Sequence, residues 1–583
     1  MAVGAAFAAL AWSSQRGLGM LWDEKVDLQI AAAFLDHPLY GSGQDGSQMR
    51  LPMMVNAVVF GWVGASLHVS RAVSVAVGLA TVLATFGLGR RLFDGWTGLV
   101  AAVIVGFSPY FLGFSRIAMT EGDVFPALFV TLTCWAYVHY ADRRDGPRLA
   151  LVTVTLALAI GAKLYAVFLI PVFGLCELVD ARVRAAAART ARETTTATPA
   201  RGSTRWWVLA AAGCVALAAM SAGLAQLRRV DAAMLIWALL LVATTAVIVG
   251  LFRGRHRHPS RATGWAVISM LALATACAAM PQHVIHPDIA RTIIRRAVYW
   301  DHLIPGALWL DHLRLYSGIL LFGATLPVGL ASLAALVWAW VRENDRPELR
   351  LPVFAVSFYI LALTTLPLRQ TFYLMNVYPL IAILTAAALI ASWRWLTDRS
   401  RLAGRGGMLV IVLTLGQLIY AAANAWPDYN LYPRRWVGTR WLGAEARGYR
   451  NLVHTPCDGY ADLVDWGLAN VQPSQRVVSY LWADHVLDDL IPADLPFTLI
   501  RRGVYEAANL GLPRPDPPNI DQADYVLLHI NNIVGYHDAP PPDLLARLFG
   551  DCPAHTVYRD GDFPIAWVYG RPNPSRPVPA RPQ

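Results

Sequence analysis

The stretch LALVTVTLALAIGAKLYAVFLIPVFGLCELV, residues 149–179, decides the fold. It is apolar from end to end, yet Lys163 stands in its middle and Pro171 beyond it. Arginines flank both ends: Arg143, Arg144 and Arg148 before it, Arg182, Arg184, Arg189 and Arg192 after it. A single helix of this length would run about 45 Å at ~1.5 Å per residue, well past the ~30 Å hydrocarbon core of a bilayer. It would also carry the two arginine clusters to opposite faces, against the positive-inside rule. The stretch therefore enters and returns as two short helices, with Lys163 at the apex on the outer side.

That reading places the chain in the membrane class, and the composition agrees. Hydrophobic residues make up 56% of it and charged residues only 15%, far from the balance of a soluble domain. Further apolar runs of span length lie near residues 71–89, 96–115, 124–140, 206–225, 232–252, 262–281, 315–341, 351–368, 372–393 and 407–426. With an uncleaved first segment, Ala2 to Leu21, this gives a polytopic α-helical membrane protein of about 13 spans. The loops then alternate in charge. Those at 90–94, 141–148, 180–205, 253–261, 342–350 and 394–407 hold 22 arginines and lysines in 71 positions, against 12 in 105 for the remainder. The bias sets the N-terminus inside and the C-terminus outside. It also explains the net charge of +10 without nucleic acid, because the arginines are spread over loops rather than gathered on one face.

After Trp426 the hydropathy falls. Residues 1–426 form the membrane module, including a first outer loop at 22–70 with short interfacial helices. Residues 427–570 read as an extracytoplasmic α/β domain and 571–583 as a disordered Pro/Arg tail. Strands are expected at 476–482, 523–530 and 564–569, with a helix at 543–549. An oxidising exterior would permit Cys457 and Cys552 to pair, and equally lets them stay as buried thiols.

The orientation brings sequence-distant charges to the outer face: Asp23, Glu24, Arg50, Arg116, Glu121, Asp123, Lys163 and Arg369. Only Lys25 and Lys163 are lysines among 49 basic residues, so the apex lysine is a rare choice. A carboxylate at Asp23 or Glu24 could take a proton from an acceptor hydroxyl. Lys163, Arg116 and Arg369 could hold an anionic leaving group in a partly dry site. The plainer alternatives are a helix-end charge cluster for Asp23-Glu24-Lys25, a snorkelling Arg116, and helix-capping acids at Glu121 and Asp123. Glu121-Gly-Asp123 could also bind a divalent cation. The histidines and acids of the 282–314 loop (His283, His286, Asp288, His302, Asp311, His312) match no zinc spacing. A transporter or flippase of lipid-linked or polar substrates is the competing class. It usually carries polar binding groups at the bilayer midplane, and the spans proposed here keep theirs at the ends.

Five short motifs share the outer side and run in order: Asp23-Glu24 after the first span, Arg50-Leu-Pro52, Ser115-Arg116-Ile-Ala-Met-Thr-Glu121, Ala162-Lys163, and Arg369-Gln-Thr-Phe-Tyr373 leading to Tyr378-Pro379. In this combination the chain, over roughly residues 20–400, resembles the C superfamily of membrane glycosyltransferases. The resemblance is to the branch of protein O-mannosyltransferases and the lipid A aminoarabinose transferase. It implies an inverting transferase that uses a polyprenyl-phosphate sugar donor and a lipid, glycan or protein acceptor, without a metal. The plasma membrane is expected from composition, since arginine over lysine and the alanine richness suggest a GC-rich bacterial coding sequence. Carried over by position, Asp23 is the base, Glu24 its neighbour or an acceptor contact, and Glu121 the second acid. Lys163, Arg369 and Arg116 would meet the donor phosphate, with Asp123, Tyr373 and Arg50 as further contacts. The chain departs from that pattern in its single Pro52, where a Pro-Pro-Leu-like run is expected, and in its short first span.

Overall fold

The computed structural model describes residues 1–15, 22–36, 51–118, 124–191, 307–365, 371–426, 429, 460–481, 494–501, 520–529, 542–549, 555–560 and 563–570, with isolated positions between 235 and 277 and around 490. The expected span at 206–225 and most of those at 232–252 and 262–281 lie outside them, as do Cys457 and Cys552. The chain divides into two compact units, one of residues 1–15 and 27–433, the other of 16–26 and 434–583.

The helical unit begins with α1 (Ala2–Ser13), α2 (Trp22–Asp36), α3 (Leu51–Val63), α4 (Leu67–Leu92), α5 (Gly95–Gly106), α6 (Pro109–Ser115), α7 (Val124–Asp142), α8 (Gly146–Ala162) and α9 (Leu169–Ala191). It continues with α10 (Ala307–Phe322), α11 (Leu326–Arg342), α12 (Arg350–Thr365), α13 (Tyr378–Arg399) and α14 (Arg401–Ala425). Short polar residues start these helices where the apolar runs alone give no boundary. Ser66, Asp94, Ser108, Asp145 and Ser400 each accept the backbone N–H three residues on, satisfying a donor that the first turn leaves open. Among the described residues, five helices are long and apolar enough to cross a membrane, or seven if each of two bent pairs counts as one span.

The chain does reverse at Lys163. Both ends of the 149–179 stretch meet: Arg144, just before α8, lies 2.8 Å from the Glu177 carboxylate on α9. The Tyr137 hydroxyl donates to the same carboxylate at 3.2 Å, and the Tyr137 ring stacks on Phe173 at 4.3 Å. A continuous helix would hold Arg144 and Glu177 about 50 Å apart. α8 closes at Ala162, Lys163 is extended, and a 3-10 turn (Leu164–Phe168) leads into α9.

Ion pairs then tie together loops that the charge bias assigns to one face. Asp94 binds Arg394 at 2.6 Å, and Arg91 binds Asp142. On α9, Asp180 receives Arg350 at 2.7 Å, while the Arg350 Nε donates to the Glu343 carboxylate at 3.1 Å. The loops at 90–94, 141–148, 342–350 and the start of 394–407 thus share one end of the unit with the far part of α9. Burial pulls the Asp94 carboxyl up, but hydrogen bonds from the Thr97 amide and the Arg394 guanidinium outweigh it and leave the group below the ordinary aspartate value.

Two expected spans are broken. The 96–115 run bends by 63° between α5 and α6, where Ser108 caps a new helix and Pro109 withholds a backbone donor. The 315–341 run bends by 117° between α10 and α11, so it does not cross as one straight helix. Pro327 opens α11, and a Cβ on Gly329 would stand 2.1 Å from the Leu321 carbonyl oxygen, so only glycine permits this tight return. The two breaks dock on each other. The Gly323 carbonyl accepts from the Tyr110 amide at 3.1 Å and the Ser108 hydroxyl at 3.3 Å, and the Tyr378 hydroxyl donates to Ser108 at 2.9 Å. The first segment also differs from the sequence reading, since α1 ends at Ser13 and spans only about 18 Å.

The second unit contains a five-stranded sheet in the order β2-β1-β3-β5-β4. Its elements are α15 (Tyr460–Asn470), β1 (Arg476–Ser479), β2 (Thr498–Ile500), β3 (Tyr525–His529), α16 (Pro542–Phe549), β4 (His555–Asp560) and β5 (Phe563–Gly570). β1 pairs in parallel with β2 and β3, and β5 pairs antiparallel with β3 and β4. Two apolar clusters include residues of α15 and α16, around Leu463, Val477 and Val568 in one case and Val526, Leu545 and Phe549 in the other. The three strands and the helix expected from sequence are present. β2, β4 and α15 were not anticipated.

Candidate active site

Asp23 and Glu24 stand in the first turn of α2. The Glu24 side chain is fully buried, and so is that of Asp27, three residues on along the same helix face. Asp27 was missed in the sequence. The i, i+3 spacing from Glu24 was the available signal, but it speaks only once the segment is known to be helical. Asp23 and Glu24 group with the second unit, whereas Asp27 groups with the helical unit.

Within the helical unit, Lys163 and the Arg369 motif converge through aromatic rings. Residues 371–377 form a 3-10 segment that brings Phe372 and Tyr373 to the hairpin apex. The Lys163 Nζ lies 4.9 Å from the Phe372 ring centroid and 5.2 Å from that of Tyr373. Tyr165 packs edge-on against Tyr373 at 4.8 Å and hydrogen-bonds to it. On the other side Phe372 meets Phe114 of α6 edge-on at 6.1 Å, which places the α6 end beside the apex.

Arg116 closes α6 and is 1% exposed, so it is not a snorkelling side chain. Its Nη1 donates to the Ser14 carbonyl at 3.3 Å, and its guanidinium lies 5.9 Å from the Tyr429 ring. Asn376, near the end of the 3-10 segment, is 1% exposed, and neither its amide nitrogen nor its amide oxygen has a hydrogen-bond partner among the described residues. A buried amide without partners costs about 1–3 kcal/mol, which makes it receptive to a water or a substrate hydroxyl. Arg50, Glu121, Asp123 and Arg369 lie outside the described residues. Among the described residues no group of histidine, cysteine, aspartate and glutamate could hold a metal ion.

With this geometry in view, residues 53–190 match the profile of the dolichyl-phosphate-mannose-protein mannosyltransferases. Residues 53–190 carry the pattern of that family. The mannosyltransferase-like segment holds α5, α6 and the Lys163 hairpin, and with them Arg116, Glu121 and Asp123. The resemblance to the C superfamily read from the motifs is thereby found again, in a segment that lacks both Asp23 and Arg369. No curated protein sequence matches the chain. Solved structures similar to it include the Archaeoglobus fulgidus oligosaccharyltransferase in the apo form, at 12% identity and a TM-score of 0.49, covering 92% of this chain and 70% of that one. ArnT from Cupriavidus metallidurans bound to undecaprenyl phosphate aligns at 13% identity and a TM-score of 0.47, covering 97% of each chain.

Proposed function

We propose that this chain is an integral membrane glycosyltransferase that moves a sugar from a polyprenyl-phosphate donor to an acceptor hydroxyl. The observation that carries the reading is the mannosyltransferase profile over residues 53–190. The placement of Lys163 at the apex of a hairpin within that segment supports it. In the proposed step, the Asp23 carboxylate takes the acceptor O–H proton as the acceptor oxygen attacks the anomeric carbon. The bond from that carbon to the phosphate oxygen breaks on the opposite face, so configuration inverts and polyprenyl phosphate leaves. Lys163 and Arg369 hold the charge that develops on the departing phosphate, with Arg116 bracing the end of α6. Glu24 and Glu121 supply the remaining acidic positions, and Asp123, Tyr373 and Arg50 border the site. The resemblance favours a step that runs without a metal, with Glu121 and Asp123 as the pair that would hold a divalent cation if one took part. The positive-inside bias puts the reaction on the extracytoplasmic face of the plasma membrane, with the α/β unit on that side as well.

The test is transfer of labelled sugar from a polyprenyl-phosphate donor by the purified protein, with Asp23→Asn alongside. Loss of turnover with retained donor binding is the expected result for the variant. Full activity in it would remove Asp23 as the base. Absence of transfer from every lipid-linked donor tried, together with movement of such lipids between leaflets, would put a flippase in place of the transferase.

A further inference from the structure

Three buried polar groups at the start and end of the helical unit have no hydrogen-bond partner among the described residues: the Gln15 amide nitrogen, the Ser74 hydroxyl and the Tyr429 hydroxyl. Ser74 and Tyr429 are fully buried, and Gln15 is 9% exposed. Helix packing brings them to one place. A Cβ on Gly78 of α4 would stand 2.9 Å from the Ser115 hydroxyl of α6, and one on Gly106 of α5 would meet Val82 of α4 at 3.7 Å. α4 therefore runs antiparallel to α5 and α6, and Ser74, one turn before Gly78 on the same face, stands past the end of α6. α1 runs with α5 and α6, since Val3 lies against Gly106 and Phe7 against Gly78. Its last turn thus delivers Ser14 and Gln15 to the same end, where the Arg116 Nη1 holds the Ser14 carbonyl and the Arg116 guanidinium lies beside the Tyr429 ring. Trp426 secures the Tyr429 turn there by donating its indole N–H to the Ser13 hydroxyl at 3.1 Å. Leaving a buried polar group unpaired is costly, and three of them from distant segments meet around one helix end.

We propose that Gln15, Ser74 and Tyr429 form a sugar subsite that takes hydroxyl groups of the sugar carried by the polyprenyl-phosphate donor. The proposal rests on the transferase reading given above. All three groups are uncharged: the amide nitrogen gives hydrogen bonds, and the two hydroxyls give or accept them. A sugar hydroxyl also gives and accepts, so it can pair with each. A phosphate only accepts, and in the transferase reading its place is at Lys163. The two places are neighbours, because Phe114, beside Ser115 on α6, meets Phe372 edge-on at 6.1 Å, and the Phe372 ring lies 4.9 Å from the Lys163 Nζ. A sugar phosphate has the same division, a charged group joined to a ring of hydroxyls. A site built this way rejects a ligand that lacks the hydroxyls, since its own polar groups then stay unpaired.

The experiment titrates the full chain in phosphatidylcholine nanodiscs with undecaprenol and with undecaprenyl phosphate, bare or carrying mannose, glucose or arabinose. The unaltered protein should bind at least one glycosylated lipid about ten-fold or more tightly than the bare phosphate. Ser74→Ala, Tyr429→Phe and Gln15→Met should each weaken that lipid about five-fold and leave bare undecaprenyl phosphate unchanged. Their thermal midpoints should stay level or rise, because each change removes a buried polar atom that has no protein partner. Lowered midpoints in all three would assign the groups to structure and overturn the subsite. Normal binding of the glycosylated lipid by all three variants overturns it as well. Equal weakening of the glycosylated and bare lipids would make the place a phosphate site instead. If no sugar adds to the binding of the unaltered protein, the subsite falls, while a preference for undecaprenyl phosphate over undecaprenol keeps the transferase reading. Loss of that preference too would overturn both.

Discussion

Replacing Glu177 by leucine should destabilise the helical unit by about 3 kcal/mol, and replacing Arg144 in the same protein should recover most of that loss. The side chains of the pair are only 11% and 9% exposed. Removing one partner leaves a nearly dehydrated charge behind, a change that costs about 3–5 kcal/mol in comparable buried pairs. The lower figure applies because a tenth of each group still reaches solvent. Removing both charges, as Arg144→Met with Glu177→Leu, exchanges an ion pair for apolar packing against Tyr137 and Phe173 and should be close to neutral. With each single loss near ~3 kcal/mol and the double variant near zero, the double-mutant cycle predicts a coupling of about 6 kcal/mol, the sum of the two single losses that the double variant does not show. Equilibrium unfolding in mixed micelles measures all four proteins. The two residues lie 33 positions apart in sequence. On one continuous helix they would be about 50 Å apart, several times the ~8 Å screening length at physiological salt, and their effects would simply add. Additive single losses would refute the hairpin and the placement of Lys163 at its apex.

Asp94→Asn should lower stability at neutral pH and leave the acid limb flatter. The native carboxyl is held below its ordinary value of 3.8, so its contribution is complete above that value and disappears as pH falls through the lower native one. Acid titration of stability should show the two proteins converging at the lowest pH, and parallel curves would count against the Asp94–Arg394 pair. Gly329→Val places methyl groups into the Leu321 backbone and should reduce the thermal midpoint and the monodisperse yield, at about 2 kcal/mol or more. A normal midpoint would mean that the return between α10 and α11 is loose. Asn376→Leu removes a buried amide without described partners and should leave thermal stability unchanged or raised, while sugar transfer falls if the amide meets substrate. Lost stability would show that the amide already has a structural partner.

The hairpin was legible because its evidence lies outside the apolar stretch, in arginines that must remain on one side of a bilayer. The breaks at Ser108-Pro109 and Gly323 were not, since a hydropathy run averages over the few residues that end a helix. The cap-and-proline pattern Thr325-Leu-Pro327 carried that information in the sequence. Strands rich in valine and leucine, such as Tyr525–His529, stood out, whereas Thr498–Ile500 is too short to show a period and His555–Asp560 is largely polar. In the site, the rarity of lysine singled out Lys163. Phe372 passed unnoticed because aromatic residues near span ends are ordinary in membrane proteins, and only the fold shows which of them lie against the apex.

The hairpin has one further consequence. α8 contains 17 residues, so it rises about 25 Å from its Asp145 cap before the chain turns at Lys163. That is slightly less than the ~30 Å thickness of the oily layer of a bilayer. The helix acts as a ruler fixed at its lower end. If Lys163 meets the donor phosphate as proposed, a ligand would be chosen first by the level at which it carries its phosphate, before the identity of its sugar is read, and lengthening the isoprenoid tail would change neither.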